Sequence, residues 1–293
     1  MDALTALEHP LSRSCPGCGG PTDQERLYSI RDCAILRCPA CGLGRTEAPA
    51  FKPEQYYTDD YFSGEHADGY ADYRGAEPVL RREFARTVDF IRARRDGGRL
   101  LEIGCAYGFF LQEARAYFDV SGIELAADAA AHARQSGLAV HTGVADEATL
   151  ARLGTFDVMV MLDVIEHLPD PLGMLQLLGR HLAPGGIIVI TTGDFGSAVA
   201  RLLGPHWRLM TPPQHLWFFT QRAMAGMARA VGLAVEHADH PWKIVPLSLV
   251  TFQLRRMLGW RGQGDCGSGR GGGVGLPLNL FDAMRVVLRK PPA

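Results

Sequence analysis

The chain lacks a surplus of either charge and lacks any long apolar run. Its 30 Lys and Arg face 32 Asp and Glu, a formal net charge of −2. No clustered cationic field is available to draw a nucleic-acid backbone by counterion release, so no nucleic-acid partner is expected. No uninterrupted apolar stretch approaches the ~20 residues of a bilayer-crossing helix. Met1 to Pro10 lacks the basic start and apolar core of a secretory signal, and the expectation is a cytoplasmic protein without a membrane span. Cysteine is scarce and odd in number: of seven, four stand in two Cys-x-x-Cys pairs. That pattern disfavours a secreted disulfide framework and points to metal binding in a reducing compartment.

What is present has the balance of a soluble globular enzyme, 47% hydrophobic and 21% charged. Three stretches are expected. Residues 12–48 hold the cysteine pairs. Residues 49–76 form an aromatic-rich arm with Phe51, Tyr56, Tyr57, Tyr61, Phe62, Tyr70 and Tyr73. Residues 77–293 form the main domain. An amphipathic pattern predicts a helix from Glu77 to about Arg95, stopped by Asp96-Gly97-Gly98. Strand and helix signals then alternate: strands over 99–103, 120–123, 138–141, 156–162 and 187–191, with helices over 109–117, 126–135 and 172–182. A further helix over 221–231, a sixth strand over 234–237 and a final strand over 283–288 returning to the sheet edge complete the pattern. Such alternation calls for a doubly wound α/β fold, a mostly parallel seven-stranded sheet covered on both faces. Between the last two strands an insertion at about 241–279 is expected. It combines a helix over 244–260, carrying Leu247, Val250, Leu254 and Met257 at helical spacing, with a glycine-rich stretch over 261–275. That helix is read as a lid over a substrate pocket, with peripheral membrane contact as the alternative.

Cys15-Pro-Gly-Cys18-Gly and Cys38-Pro-Ala-Cys41-Gly repeat one knuckle, 19 residues apart. Two tight turns, each aiming two thiolates at one ion, complete a tetrahedron with no open position, so Cys15, Cys18, Cys38 and Cys41 are expected to hold a structural zinc. A redox Cys-x-x-Cys is the alternative, but that motif works singly beside a βαβ unit. Cys33 is a substitute ligand or a free thiol.

The sharpest motif is Leu101-Glu102-Ile103-Gly104-Cys105-Ala106-Tyr107-Gly108, at a strand end where a helix begins. Glycine lets backbone approach a ligand, and the helix start offers free N–H groups to an anion. Glu124, twenty residues after Gly104 at the next strand's end, is placed to accept both hydroxyls of a ribose. These features describe an adenosine site. A dinucleotide fingerprint would need further glycines where Ala106 and Phe109 stand.

The loop resembles the E/D-x-G-x-G-x-G motif of class I S-adenosylmethionine-dependent methyltransferases. The likeness continues through Phe156-Asp157 and Leu162-Asp163-Val164-Ile165-Glu166-His167-Leu168, and runs from about Arg99 to Thr220. The chain is similar to the ubiquinone-type O-methyltransferases, and its arm and ribbon resemble those of bacterial sugar C-methyltransferases, although a counterpart of the sugar enzymes' further C-terminal domain is not expected within these 293 residues. Ala106 replaces the middle glycine, a change the loop accepts readily if residue 106 has negative φ. The resemblance implies S-adenosylmethionine as cofactor, with Gly104, Cys105, Ala106 and Gly108 beside its methionine part and Glu102 ordering the loop or binding its amino group. Glu124 would hold the ribose, Asp146 the adenine amino group, and Leu162 and Asp163 the pocket floor. Tyr73 and Tyr70 would close over the cofactor.

Methyl transfer from a sulfonium needs alignment and a dry cavity, and a base only where the nucleophile must lose a proton. The candidates are His215, His167 and His206. His215 ranks first because the His-Leu-Trp-Phe-Phe-Thr run from 215 to 220 resembles the family's motif after the fifth strand. His167 ranks second, with a structural role as its alternative. The expected activity is methyl transfer to an O or C nucleophile of a small-molecule acceptor: a sugar nucleotide, a polysaccharide precursor, or a lipid or aromatic metabolite. A non-catalytic cofactor-binding protein that uses its ribbon for partner contact, and a nicotinamide oxidoreductase, are the alternatives.

Overall fold

The computed structural model describes residues 14–20, 24–47, 73–246 and 275–292. Three short strands come first: β1 (Glu25–Ile30), β2 (Cys33–Arg37) and β3 (Gly44–Glu47), paired antiparallel in order. Helix α1 (Glu77–Arg92) follows. Pro78 in its first turn fixes φ without sacrificing a bonded N–H, and Glu77 faces the positive end of the helix dipole. Val79, Leu80, Thr87, Val88 and Ile91 make its buried stripe.

The alternating part contains β4 (Arg99–Ile103), α2 (Phe109–Ala114), β5 (Asp119–Glu124), α3 (Ala127–Gln135), β6 (Ala139–Thr142), α4 (Glu147–Leu153), β7 (Phe156–Leu162), α5 (Pro171–His181) and β8 (Leu182–Gly193). Next come α6 (Ala198–Leu203), β9 (Trp217–Phe218), α7 (Gln221–Ala230), β10 (Ala234–Asp239), β11 (Lys243–Pro246), β12 (Gly275–Leu278) and β13 (Ala283–Arg289). The main sheet has seven strands in the order β10-β13-β8-β7-β4-β5-β6. Strands β4 to β8 pair in parallel, and β13 runs antiparallel to both its neighbours. Central strands covered on both faces read as unbroken apolar runs. Leu100, Leu101, Val158, Met159, Val160, Ile188 and Val189 are all fully buried. Chain order reverses between β4 and β7, the switch point of an open α/β sheet, where a crevice opens at the carboxyl ends of the strands.

Four local expectations are corrected. Residues 243–246 form a strand, not the start of a helix: β11 pairs antiparallel with β12, Lys243 opposite Leu278 and Pro246 opposite Gly275. The remainder of the expected 244–260 helix lies outside the described residues. The final strand is internal, because β13 sits between β8 and β10 and leaves β10 on the edge. Strand β8 starts at Leu182, five residues early: Pro184-Gly185-Gly186 is a bulge within it, where Phe156 pairs with Leu182 and Val158 with Ile187. Helix α2 ends at Ala114 rather than near Tyr117.

The cysteine module and the main body share structure. Strand β3 pairs with β9, so the small sheet runs β1-β2-β3-β9. Cys15, Cys38, Cys41 and Leu43 are buried with Phe219, Ala223, Met224 and Met227 in one apolar cluster. A Cβ on Gly226 of α7 would lie 1.8 Å from the Gly17 carbonyl oxygen, so glycine there lets the first knuckle rest on the helix. No described helix is long and apolar enough to cross a membrane.

Candidate active site

A cavity of about 480 Å³ opens at the switch point. Its floor is the Gly104–Ala106 turn after β4, Glu124 after β5, Gly143–Ala145 after β6 and Leu162–Val164 after β7. Its far wall is His167 to Pro169. Tyr73, the α1 face carrying Leu80, Glu83, Phe84 and Thr87, and residues 243–245 of β11 close the side away from the sheet.

The turn is strained where the sequence departs from glycine. Gly104, Ala106 and Gly108 all have positive φ, and Ala106 sits at +46°, against the condition of negative φ stated above. The Ala106 N–H donates to Glu124 Oε2 at 2.7 Å and the Ala126 N–H to Glu124 Oε1 at 2.8 Å. The Glu124 carboxylate thus ties the loop to the next strand. A Cβ on Gly104 would meet Val164 Cγ2 at 2.7 Å, so this glycine is the close approach between the two sides of the crevice.

Glu102 is 4% exposed and lines the cavity, and its Oε2 has no hydrogen-bond partner among the described residues. Burial, with the Glu124 charge adding to it, holds its pKa well above the ordinary carboxylate value. Such a group is stored as the neutral acid and suits a cation that arrives later. After β7, Asp163 is held between the Thr191 hydroxyl at 2.9 Å and Lys243 Nζ at 3.0 Å. Burial works to raise its pKa, but the Lys243 ammonium wins and keeps it below the usual range.

The two leading histidines exchange places in depth. His167 lines the cavity, and its Nδ1 lies 3.0 Å from the Gln214 carbonyl oxygen. His215 is 9% exposed, stands behind His167 with ring centroids 4.8 Å apart, and has Nδ1 2.8 Å from the Leu209 carbonyl oxygen. A carbonyl only accepts, so each Nδ1 carries a proton and each Nε2 a lone pair. Burial lowers their pKa values to about 4 and about 3, so both are neutral at physiological pH. Glu166 is buried beneath them, with its pKa pushed up to about 8 by burial and by Asp163. Ligand-type atoms of these three residues lie within 4.8 Å of one another, a spacing that three donors around one cation can have.

The structure brings Glu102, Gly104, Ala106, Glu124, Leu162, Asp163, Tyr73 and His167 to the cavity wall, and places others elsewhere. Cys105 packs beneath β5, where a Cβ on Gly122 would touch its sulfur at 2.6 Å. Gly108 faces Leu138 and Ala133 of the next helical layer. Asp146 is exposed and caps α4, accepting from the Thr149 N–H at 2.7 Å. His206 is exposed. Tyr70 lies outside the described residues. Glu83 and Lys243 were not anticipated. Leu80, Glu83, Phe84 and Thr87 do show one helical face at three- and four-residue spacing. Lys243 sits just ahead of the expected 244–260 helix and gave no signal of its own.

In the cysteine module, Cys15 and Cys41 sulfurs lie 3.6 Å apart and Cys18 and Cys38 sulfurs 3.8 Å apart. A tetrahedron with metal–sulfur bonds of about 2.3 Å has edges of about 3.8 Å. Two edges match, and all four sulfurs lie within 4.8 Å of one another, so the donor set fits a single zinc ion. Cys33 lies elsewhere, in β2, with its sulfur directed to the Arg31 carbonyl.

Comparison with known proteins agrees with this geometry. A family model described as a methyltransferase domain matches residues 76–238. The ubiquinone biosynthesis O-methyltransferase of Cereibacter sphaeroides is 33% identical over 150 residues, 47% of this chain and 61% of that protein. Its namesake in Xanthomonas oryzae is 31% identical over 179 residues, 53% of this chain and 73% of that protein. The chain thus spans 61% of the length of the first of these relatives. Among solved structures, magnesium protoporphyrin IX methyltransferase from Synechocystis with bound S-adenosylhomocysteine superposes with a TM-score of 0.51 at 12% identity, covering 81% of this chain and 97% of that one, a likeness of fold. The chain belongs to the class I S-adenosylmethionine-dependent methyltransferase domain family, as a distant relative of the ubiquinone O-methyltransferases.

Proposed function

We propose that the enzyme moves the methyl group of S-adenosylmethionine to a hydroxyl oxygen of an apolar, aromatic or lipid-like small molecule, with His167 as the base. The observation that carries this reading is His167 itself: a neutral imidazole on the cavity wall, opposite the cofactor turn, with its tautomer set by Gln214. Leu80, Phe84, Leu168, Met174 and Val245 line the cavity on the acceptor side, which favours an apolar body over a sugar nucleotide. The relatives' names, O-methyltransferases of ubiquinone biosynthesis, support oxygen as nucleophile.

The cofactor would lie over the 104–106 turn, its hydroxyls at Glu124 and its amino group at Glu102, and it supplies an electrophilic methyl on sulfur. The protein's part is to align the acceptor, exclude water and receive one proton. A base held near pKa 4 cannot ionise a free phenol of pKa about 10 beforehand, an uphill step of about 8 kcal/mol. It takes the proton as the carbon–oxygen bond forms and the oxygen turns acidic. Glu166, when ionised, then stabilises the imidazolium. His215 backs His167 and keeps water from its rear face. Zinc in the four-cysteine cluster is structural in this reading, and the domain limits are 12–48 for the ribbon, 49–76 for the arm and 77–293 for the catalytic body.

Tritiated-methyl transfer to a panel of phenols, catechols, prenylated phenols and sugar nucleotides tests the proposal. Turnover should appear with the phenolic acceptors. His167→Gln should lower kcat about 10²–10⁴-fold with cofactor affinity unchanged. Turnover confined to sugar nucleotides, or an unimpaired His167→Gln, contradicts it.

A further inference from the structure

The cysteine ribbon touches the catalytic body at one place that bears on His167. Strand β9 is only two residues long, too short to hold its own position by pairing, and its partner is the last ribbon strand, Gly44 opposite Phe218 and Arg45 opposite Trp217. The next ribbon residue, Thr46, is 8% exposed and makes two bonds across the join. Its N–H donates to the Leu216 carbonyl at 2.9 Å, and its hydroxyl donates to the His215 carbonyl at 2.6 Å. The other side of the same segment is bound to the site. The Leu216 N–H donates to the Glu166 carbonyl at 2.9 Å, and Trp217 Nε1 to the Leu168 carbonyl at 2.9 Å. The Gln214 carbonyl receives His167 Nδ1, and the His215 ring packs on the His167 ring. A second ribbon contact closes the segment: Thr220 Oγ1 donates to the Cys41 carbonyl at 2.8 Å.

Residues 214–218 are therefore a strip with the ribbon on one edge and Glu166–Leu168 on the other. The carbonyl that selects the His167 tautomer belongs to this strip. We propose that Thr46 is a positioning residue: through the 214–218 strip, the ribbon holds His167 as the Nδ1–H tautomer on the cavity wall. This rests on His167 being the base, but the geometry it describes exists whether or not that base is used. The ribbon is then a part of the site's alignment, and its metal occupancy and His167 geometry change together.

The test reads the His167 ring directly. In full-length protein with zinc quantified, long-range proton–nitrogen correlation at pH 7.5 reports which ring nitrogen is protonated, and His167→Gln assigns the signal. The wild type should show the Nδ1–H form. Thr46→Val, with zinc retained, should lose it in favour of the Nε2–H form or of exchange between the two. Thr46→Ser, which restores the hydroxyl, should keep it. Stripping metal from the wild type with a chelator should shift the signal as Thr46→Val does, which decides the matter if the valine variant does not fold. S-adenosylhomocysteine affinity, measured in parallel, should change by less than threefold in Thr46→Val, because the bonds from Thr46 run to His215 and Leu216 and not to Glu102, Gly104 or Glu124. An Nδ1–H tautomer that persists in both Thr46→Val and metal-stripped protein overturns the proposal. Failure of the methyl-transfer reading would show separately, as absence of turnover in the tritiated-methyl assay.

Discussion

Replacing Glu102 with glutamine separates the cost of burying this carboxyl from its use. Among the described residues its Oε2 has no partner, and its pKa is held well above the ordinary value by burial. A carboxyl whose folded pKa is raised supports folding most fully below its unfolded pKa of about 4.3, and that support is lost as pH rises through the folded value. Glu102→Gln removes this pH-dependent penalty while keeping shape. The variant should match wild type at the acid end and gain on it progressively as pH rises above about 4.3, in denaturant unfolding. Cofactor binding should move the other way. An ammonium group meeting Glu102 gains a charge-assisted hydrogen bond of about 1.5–3 kcal/mol, so the variant should bind S-adenosylmethionine roughly 10- to 150-fold more weakly. Pairing with a cation also drives the proton off the wild-type carboxyl. Calorimetric enthalpies in buffers of different ionisation heat should then show proton release on binding to wild type, and none for Glu102→Gln. Equal affinity and equal proton release in the two proteins would refute the assignment.

Three further outcomes follow from the same geometry. Ala106→Gly relieves a left-handed alanine, a strain of about 1–2 kcal/mol offset in part by glycine's backbone entropy, so thermal unfolding should show a net gain of up to about 1 kcal/mol. Asp282, 1% exposed, accepts from Trp207 Nε1 and from Arg208 Nε and Nη2 at 2.8–2.9 Å. Asp282→Asn should cost about 2–3 kcal/mol in urea unfolding, below the 3–5 kcal/mol of a fully buried pair because the Arg208 side chain is 32% exposed. The depressed pKa values of His167 and His215 mean that the unfolded chain binds protons first as pH falls below about 6.5, and stability drains away toward pH 4. The double variant His167→Gln, His215→Gln should lose less stability than wild type between pH 7 and pH 5, as read by thermal unfolding.

The cofactor half of the site was legible because its signals are local. A doubly covered parallel strand reads as an apolar run, the turn after β4 announces itself by glycine, and Glu124 follows at a fixed interval. The apolar side of the cavity was not, because it is assembled from α1, residues 167–169 and β11, which are distant in sequence and meet only in the fold. His167 and His215 were both singled out, but their order in depth depends on how the strip bonds to Glu166–Leu168, which spacing does not encode. Asp146 shows a different limit. A carboxylate after a strand can face a ligand or cap the next helix, and Thr149 three residues on marks the capping arrangement seen. The β11 strand was missed because apolar residues at helical spacing from 247 onward drew the expected helix back over 244–246, whereas pairing with Gly275–Leu278 across an intervening stretch fixed those residues as strand.

The central claim is that the crevice at the β4–β7 switch point is an adenosyl-cofactor site anchored by Glu124. Isothermal titration of the purified protein with S-adenosylmethionine, S-adenosylhomocysteine and NADH, repeated with Glu124→Ala, tests it most directly. The account predicts micromolar, one-to-one binding of both adenosyl ligands to wild type, no binding of NADH, and loss of adenosyl binding in a variant that remains folded. Binding of NADH alone, or adenosyl binding indifferent to Glu124, would contradict it.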